Sequence, residues 1–204
     1  MLVLDRRTAL LGGLLVLGFR CAGARAAGSA SGVVEGFYKV LLDVMKQATS
    51  LGFEGRYRRL QPAIEAANDL PLMIRLAIGP PWNSLTPDQQ KRLLEAFRRF
   101  TISTYAGRFD GYDGERFEIR GEVPAQNGAV LVQTRLVQTK DEPVELNYLL
   151  HPVDGSWRII DVFLSGTISE LATRRAEFTS VLRRDGADGL VTVIEHKVAE
   201  LKPR

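Results

Sequence analysis

The residues able to do chemistry are few in this chain of 204 residues, which holds two histidines and one cysteine. His151 and His196 stand 45 positions apart with no ligand spacing around either. A zinc or iron site needs three or four convergent ligands, so both histidines read as surface residues and no metal is expected. Ser165 precedes Gly166 at a strand-to-helix corner but lacks the Gly-x-Ser-x-Gly elbow of a strained nucleophile; it reads as a structural hydroxyl. Gly111, Gly114 and Gly121 surround a turn and a strand, with no helix start to hold a phosphate, so no nucleotide cofactor is expected.

Two features deserve alternatives. Asp161 is the acidic residue of the apolar run Ile159-Ile160-Asp161-Val162-Phe163. It reads either as a buried general acid or base with a shifted pKa, or as a carboxylate accepting backbone or arginine hydrogen bonds where sheet meets helix. The second reading is favoured. Arg174-Arg175 fits a lipid phosphate or a partner, but on a helix such a pair reads first as a solvated face.

Arg6-Arg7, the apolar stretch Thr8 to Phe19 and Ala24-Arg25-Ala26 have the pattern of a secretory signal peptide. Cleavage is expected after Ala26, leaving residues 27–204 as one domain; the alternative is an uncleaved anchor. The paired arginines suit either the Sec or the twin-arginine route. Cys21 lies in the leader behind Arg20, where a lipobox needs a small residue. The mature chain then has no thiol, which excludes disulfides and thiolate chemistry, and its expected compartment is the bacterial periplasm. The leader also carries the charge. Removing its four arginines and one aspartate from 27 basic and 24 acidic residues leaves 23 of each, too balanced for a broad grip on nucleic acid.

The elements that must position any site follow from periodicity. Val33 to Gln47 spaces Val34, Phe37, Tyr38, Leu41, Leu42 and Met45 as a helix does. Gly52 and Gly55 break the pattern, and Arg56 to Leu60 predicts only a short helical piece. Asp69 caps a third helix ending at Gly79, and Pro80-Pro81 predicts an extended turn before Trp82. Thr86-Pro87-Asp88-Gln89 is a capping box opening a long helix.

After Gly107 the period drops to two. Four strands are predicted, Arg116–Gly121, Ala129–Gln138, Val144–Pro152 and Trp157–Leu164, linked by Asn127-Gly128, Lys140-Asp141 and Asp154-Gly155. Thr167-Ile168-Ser169-Glu170 predicts a second capping box, opening a helix that closes at Asp185-Gly186; a last helix runs from Gly189 to Lys202. The plan is α+β, an antiparallel meander with helices packed on one side. Large rings at Phe97, Phe100, Tyr105, Phe109, Tyr112 and Phe117 lie along the junction of the central helix and first strand. They fit a filled core or a ligand cavity, which periodicity does not distinguish.

The stretch Ser156-Trp157-Arg158-Ile159-Ile160-Asp161-Val162, then Gly166-Thr167-Ile168-Ser169, Arg175-Ala176-Glu177-Phe178 and Gly186-Ala187-Asp188-Gly189-Leu190 resemble the C-terminal signature of the MlaC family. Gly79 with Trp82, Thr86-Pro87 with Gln89-Gln90, and the Phe97-to-Tyr105 face are similar to the same family. Met45-Lys46, Gly55-Arg56-Tyr57 with Leu60 and Pro62, and Gly79-Pro80-Pro81-Trp82 resemble its hopanoid-associated HpnM-like branch.

The resemblance implies an NTF2-like cone, a curved four-stranded sheet wrapped by helices around a deep apolar pocket. It implies a monomeric lipid carrier, not an enzyme, associated with toluene tolerance and outer-membrane asymmetry and needing no cofactor. The cargo would be a phospholipid or a hopanoid. The partners would be an inner-membrane transporter of the ABC or RND type and an outer-membrane acceptor. Lipid-facing residues would be Met73, Leu76, Trp82, Phe97, Phe100, Tyr105, Phe109, Tyr112, Phe117, Leu146, Tyr148 and Leu150. The rival is a ketosteroid-isomerase-like use of the same cone, with Asp161 as base and Tyr148 or Tyr105 donating to an oxyanion. A third reading is a structural adaptor with a filled interior.

Overall fold

The computed structural model describes residues 28–202, so the expected signal peptide lies outside the described residues. The first helix, α1 (Ala30–Lys46), buries Val34, Phe37, Tyr38 and Leu41 at helical spacing, and the Ser29 hydroxyl caps it by accepting from Gly32 N–H. α2 (Ala48–Ala67) is much longer than the short piece expected. Gly52, at φ 59°, supplies a kink instead of a stop, and the helix continues through Pro62. Buried Arg56 braces that kink, its Nε donating to the Ala106 carbonyl at 2.8 Å and its Nη1 to that of Ala48 at 3.1 Å.

α3 (Leu70–Ile78) is capped by Asp69 and ends at Gly79, whose φ of 73° suits glycine. Pro80–Ser84 then forms a 3₁₀ turn instead of the extended one expected. α4 (Pro87–Arg108) opens on the anticipated reciprocal cap. Gln89 N–H donates to the Thr86 hydroxyl, and Thr86 N–H donates to the Gln89 side-chain carbonyl at 2.9 Å.

Five strands follow, not four, in the antiparallel order β1-β2-β3-β4-β5. They are β1 (Arg116–Pro124), β2 (Val130–Val137), β3 (Val144–Val153), β4 (Ser156–Leu164) and β5 (Ile168–Ser169). The additional strand is short because it is bought from the approach to the last helix: Phe163 pairs with Ser169 and Leu164 with Ile168. Ser165 (φ 50°) and Gly166 (φ 75°) therefore turn a hairpin. Asp154-Gly155 has positive φ at both positions, the twist that two-residue hairpins favour, and Asn127-Gly128 has the same signs within a five-residue connection that holds the 3₁₀ turn Gln126–Gly128.

A bulge decides which side of β4 faces in. Leu149 pairs with Asp161 but Leu150 with Ile159, so Ile160 is extra. Ile159, Val162 and Leu164 consequently share the face of Leu150, Tyr148 and Leu146, while Asp161 pairs with Leu149 and its carboxylate reaches the start of α5 at the cavity edge. Val132 and Thr134 of β2 complete the buried face.

α5 (Glu170–Glu200) is capped by Ser169, not by Thr167, because residues 168 and 169 are held in β5. The expected separation into two helices is reduced to a kink at Gly186, where φ is 70°. The helices cover the inner face of the sheet. α1 touches β1, β2 and β4, α2 and α3 reach β4, and α5 packs on α3, α4 and β4. The core is one continuous cluster spanning all five helices and the central strands.

Candidate functional site: an apolar cavity with a charged rim

Between α4, the start of α5 and the inner sheet the packing opens into a cavity of about 240 Å³. One wall is a helical stripe on α4, Phe97, Thr101, Thr104, Tyr105 and Arg108, whose spacing of three and four places them on one face. The sheet gives Leu136, Val144, Leu146, Tyr148, Val162 and Leu164; Met73, Asn68, Phe109 and Leu171 close the remainder. The interior is mainly apolar, and its charged groups, Arg108, Asp161, Glu170 and Arg174, gather where α4 meets the start of α5.

Behind the wall the rings pack on one another. Tyr38 stacks on Phe117 at 4.1 Å between centroids, meets Tyr148 edge-on at 5.6 Å, and shares a short hydrogen bond with the Thr134 hydroxyl. Phe37 meets Tyr105 edge-on at 5.3 Å, and Tyr105 stacks on Phe109 at 5.8 Å. Such pairs add to area burial and hold the wall in place. Burial pushes the Tyr105 phenol up to about 12 and drives that of Tyr148 well above its ordinary value, so both are neutral hydroxyls across physiological pH.

Asp161 accepts three hydrogen bonds, none of them from a tyrosine. One carboxylate oxygen accepts from Val162 N–H at 2.8 Å and Leu171 N–H at 3.1 Å; the other accepts from the Ser169 hydroxyl at 2.5 Å. It thus ties β4 to the first turn of α5, where the helix dipole favours a negative charge. Burial raises its pKa, and those three donors oppose the rise.

Of the sequence-nominated residues, Met73, Phe97, Tyr105, Phe109, Leu146 and Tyr148 line the cavity. The other six lie elsewhere. Leu76 is 39% exposed because the buried face of α3 runs through Leu70, Met73, Ile74 and Ala77. Trp82 sits at the edge of the core on the 3₁₀ turn, where its carbonyl accepts from Gln90. Phe100 lies under the Arg174 guanidinium. Tyr112 is 43% exposed in the loop before β1, beneath the Lys46 ammonium. Phe117 is occupied by Tyr38, and Leu150 is wholly buried in the packed core.

Sequence reasoning missed Thr101, Thr104, Leu136, Val144, Val162 and Leu164 as lining residues, and of the charged rim it named Asp161 and Arg174 but not Arg108 or Glu170. The α4 stripe was open to discovery from its spacing; the rim is assembled from three distant segments, so its convergence carried no local signal. His151, expected at the surface, is half-buried against Asp69, Nε2 to carboxylate oxygen 2.9 Å. The same Asp69 caps α3 through Leu72 N–H, which makes His151 part of a structural link. Arg175 is exposed, as a solvated face requires, but Arg174 is turned inward.

The arrangement defines a class: an α+β fold with an apolar cavity and a charged rim. The model of the MlaC protein family matches residues 37–196, and the chain belongs to that family. The solved structure of the phospholipid-binding protein from Ralstonia solanacearum, in complex with a phospholipid, superposes with a TM-score of 0.75 at 23% identity. The match covers 85% of this chain and 99% of that one, and at this identity the likeness is one of fold. No curated protein matches in sequence.

Proposed function

We propose that this chain is a periplasmic lipid carrier, exported by a signal peptide at residues 1–26, which hides the apolar part of a membrane lipid in its cavity and does not transform it. The observation that carries this reading is the apolar hollow itself, set in a continuous hydrophobic core. Family membership and the phospholipid in the Ralstonia relative support it. The engagement of Asp161 by Val162, Ser169 and Leu171 favours an anchoring role over that of base in the isomerase alternative. No helix among the described residues is long and apolar enough to cross a membrane.

The physical task is large. About thirty methylenes of a diacyl lipid resist water by roughly 24 kcal/mol at ~0.8 kcal/mol each, and a carrier must offset most of that. The cavity, at about 240 Å³, is below the ~300–1,000 Å³ of ordinary ligand pockets. As it stands it takes part of one chain. A two-chain lipid requires the helices to loosen from the sheet, so loaded and empty protein would differ in shape.

The cargo favoured by the Ralstonia relative is a phospholipid; the HpnM-like resemblance makes a hopanoid the competing one. Transfer would run between an inner-membrane transporter, of ABC or RND type, and an outer-membrane acceptor, with the carrier a monomer. Native mass spectrometry after gentle, detergent-free purification is expected to show a bound lipid, and extraction to identify it as phospholipid or hopanoid. Protein that is empty under those conditions would count decisively against the carrier.

A further inference from the structure

The charged rim holds one donor that the fold leaves unused. Arg174, in the first turns of α5, lies against the cavity with its side chain only 16% exposed, and its guanidinium sits 4.6 Å from the Phe100 ring centroid. Its Nη2 donates to Glu170 at 2.9 Å, but Nη1 is buried with no hydrogen-bond partner. A guanidinium presents its N–H groups as a rigid fork matched to two oxygens of a carboxylate or phosphate, and a buried donor left unmet destabilises the fold.

The neighbouring carboxylates do not fill the gap. Glu170 is shared, one oxygen on Arg174 and the other 3.6 Å from Arg108, so two cations divide one anion. Asp161 is already engaged by Val162 N–H, Leu171 N–H and the Ser169 hydroxyl. The rim thus sets two cations, Arg108 and Arg174, against two carboxylates, Glu170 and Asp161, and what it leaves open is the Nη1 N–H beside apolar walls, where weak screening strengthens a hydrogen bond to an anion. Burial holds the Arg174 pKa below its ordinary value, and the Glu170 carboxylate opposes that fall.

We propose that Arg174 is the anion-binding subsite of this cavity, taking the acidic group of an amphiphile, a phosphate or carboxylate, through Nη1 while the alkyl chain lies among Phe109, Leu146 and Leu164. This rests on the lipid-carrier reading and deepens it: the carrier selects for an anionic headgroup held at the rim, not for chain length alone.

The test is displacement of a fluorescent alkyl probe from the mature protein by three ligands with the same hexadecyl chain: hexadecanoate, monohexadecyl phosphate and hexadecanol. In the unmutated protein both anions are expected to outcompete the alcohol about tenfold, the worth of one hydrogen bond to a charged group. Arg174→Gln is expected to bring the three together, and Arg174→Lys to restore part of the preference. Glu170→Gln, which releases both guanidiniums, is expected to strengthen the anions several-fold and leave the alcohol unchanged.

Equal displacement by anions and alcohol in the unmutated protein would overturn the subsite while leaving the carrier intact, since the chains still bind. Failure of all three ligands to displace the probe would overturn both. Displacement by inorganic phosphate as effective as that by monohexadecyl phosphate would assign the site to a free anion and also overturn the proposal. Should Arg174→Gln not fold, the ranking in the unmutated protein and the opposite response of Glu170→Gln decide.

Discussion

Replacing Asp161 separates an anchor from a catalytic base. In Asp161→Ala the Leu171 N–H and the Ser169 hydroxyl, which now bond the carboxylate at 3.1 and 2.5 Å, lose the acceptor that joins β4 to α5. Hydrogen bonds to a charged group contribute about 1.5–3 kcal/mol each, so the two that cross between elements predict a loss of about 3–6 kcal/mol. For a domain of this size that lowers the melting temperature by roughly 6–24 °C. Asp161→Asn keeps a carbonyl oxygen for Leu171 and turns its amide toward the Ser169 oxygen, and is expected to stay within about 1 kcal/mol of the parent at neutral pH.

The pH dependence has a definite sign. Burial raises the native pKa of Asp161, so the folded state binds that proton more tightly than the unfolded chain does. The parent should therefore lose stability relative to Asp161→Asn as pH rises from the ordinary aspartate value through the raised native one. Urea unfolding followed by circular dichroism, between acid and neutral pH, measures both effects. An alanine variant as stable as the parent would refute the anchor. An asparagine variant that folds normally yet has lost its bound lipid would show that the ionised carboxylate acts in the cavity.

Two further perturbations separate wall from core and backbone from side chain. Leu146→Trp adds bulk on the cavity wall and is expected to cut co-purified lipid about tenfold by native mass spectrometry, with overpacking limited to about 1–3 kcal/mol. Leu150→Ala, on the same face but away from the cavity, is expected to lose about 2–5 kcal/mol and keep its lipid; lipid loss in both would erase the distinction. Gly79→Ala places a Cβ 2.6 Å from Arg175 Nη2, a flexible end that can withdraw, so the backbone at φ 73° dominates. A loss of about 1–2 kcal/mol in urea unfolding is expected, and an unchanged midpoint would contradict it.

Features set by neighbours in the chain were legible. The Thr86–Gln89 cap, the end of α3 at Gly79, and the Asn127-Gly128 and Asp154-Gly155 turns each depend on residues within four positions, and each forms where its chemistry predicts. The α+β order was legible for the same reason, because period 3.6 gives way to period two after Gly107. What failed was competition between two plausible local signals. Thr167 and Ser169 both offer a cap, and pairing of residues 168 and 169 with β4 gives the role to Ser169. Gly52 and Gly186 both look like stops, and both are kinks because neighbouring elements hold the chain on either side.

By itself, then, the sequence determined the order and kind of the elements, the antiparallel meander and which residues are greasy enough to be inside. Tertiary structure decided where the inside is empty. Leu146 and Leu150 occupy equivalent positions of one strand, yet one borders the cavity and the other is packed solid. Transfer from water favours burying both, whereas a void depends on how far α4 and α5 stand from the sheet. The bulge at Ile160 and the convergence of Arg108, Glu170 and Arg174 belong to the same order of fact: each is fixed by partners far along the chain, and no local pattern encodes them.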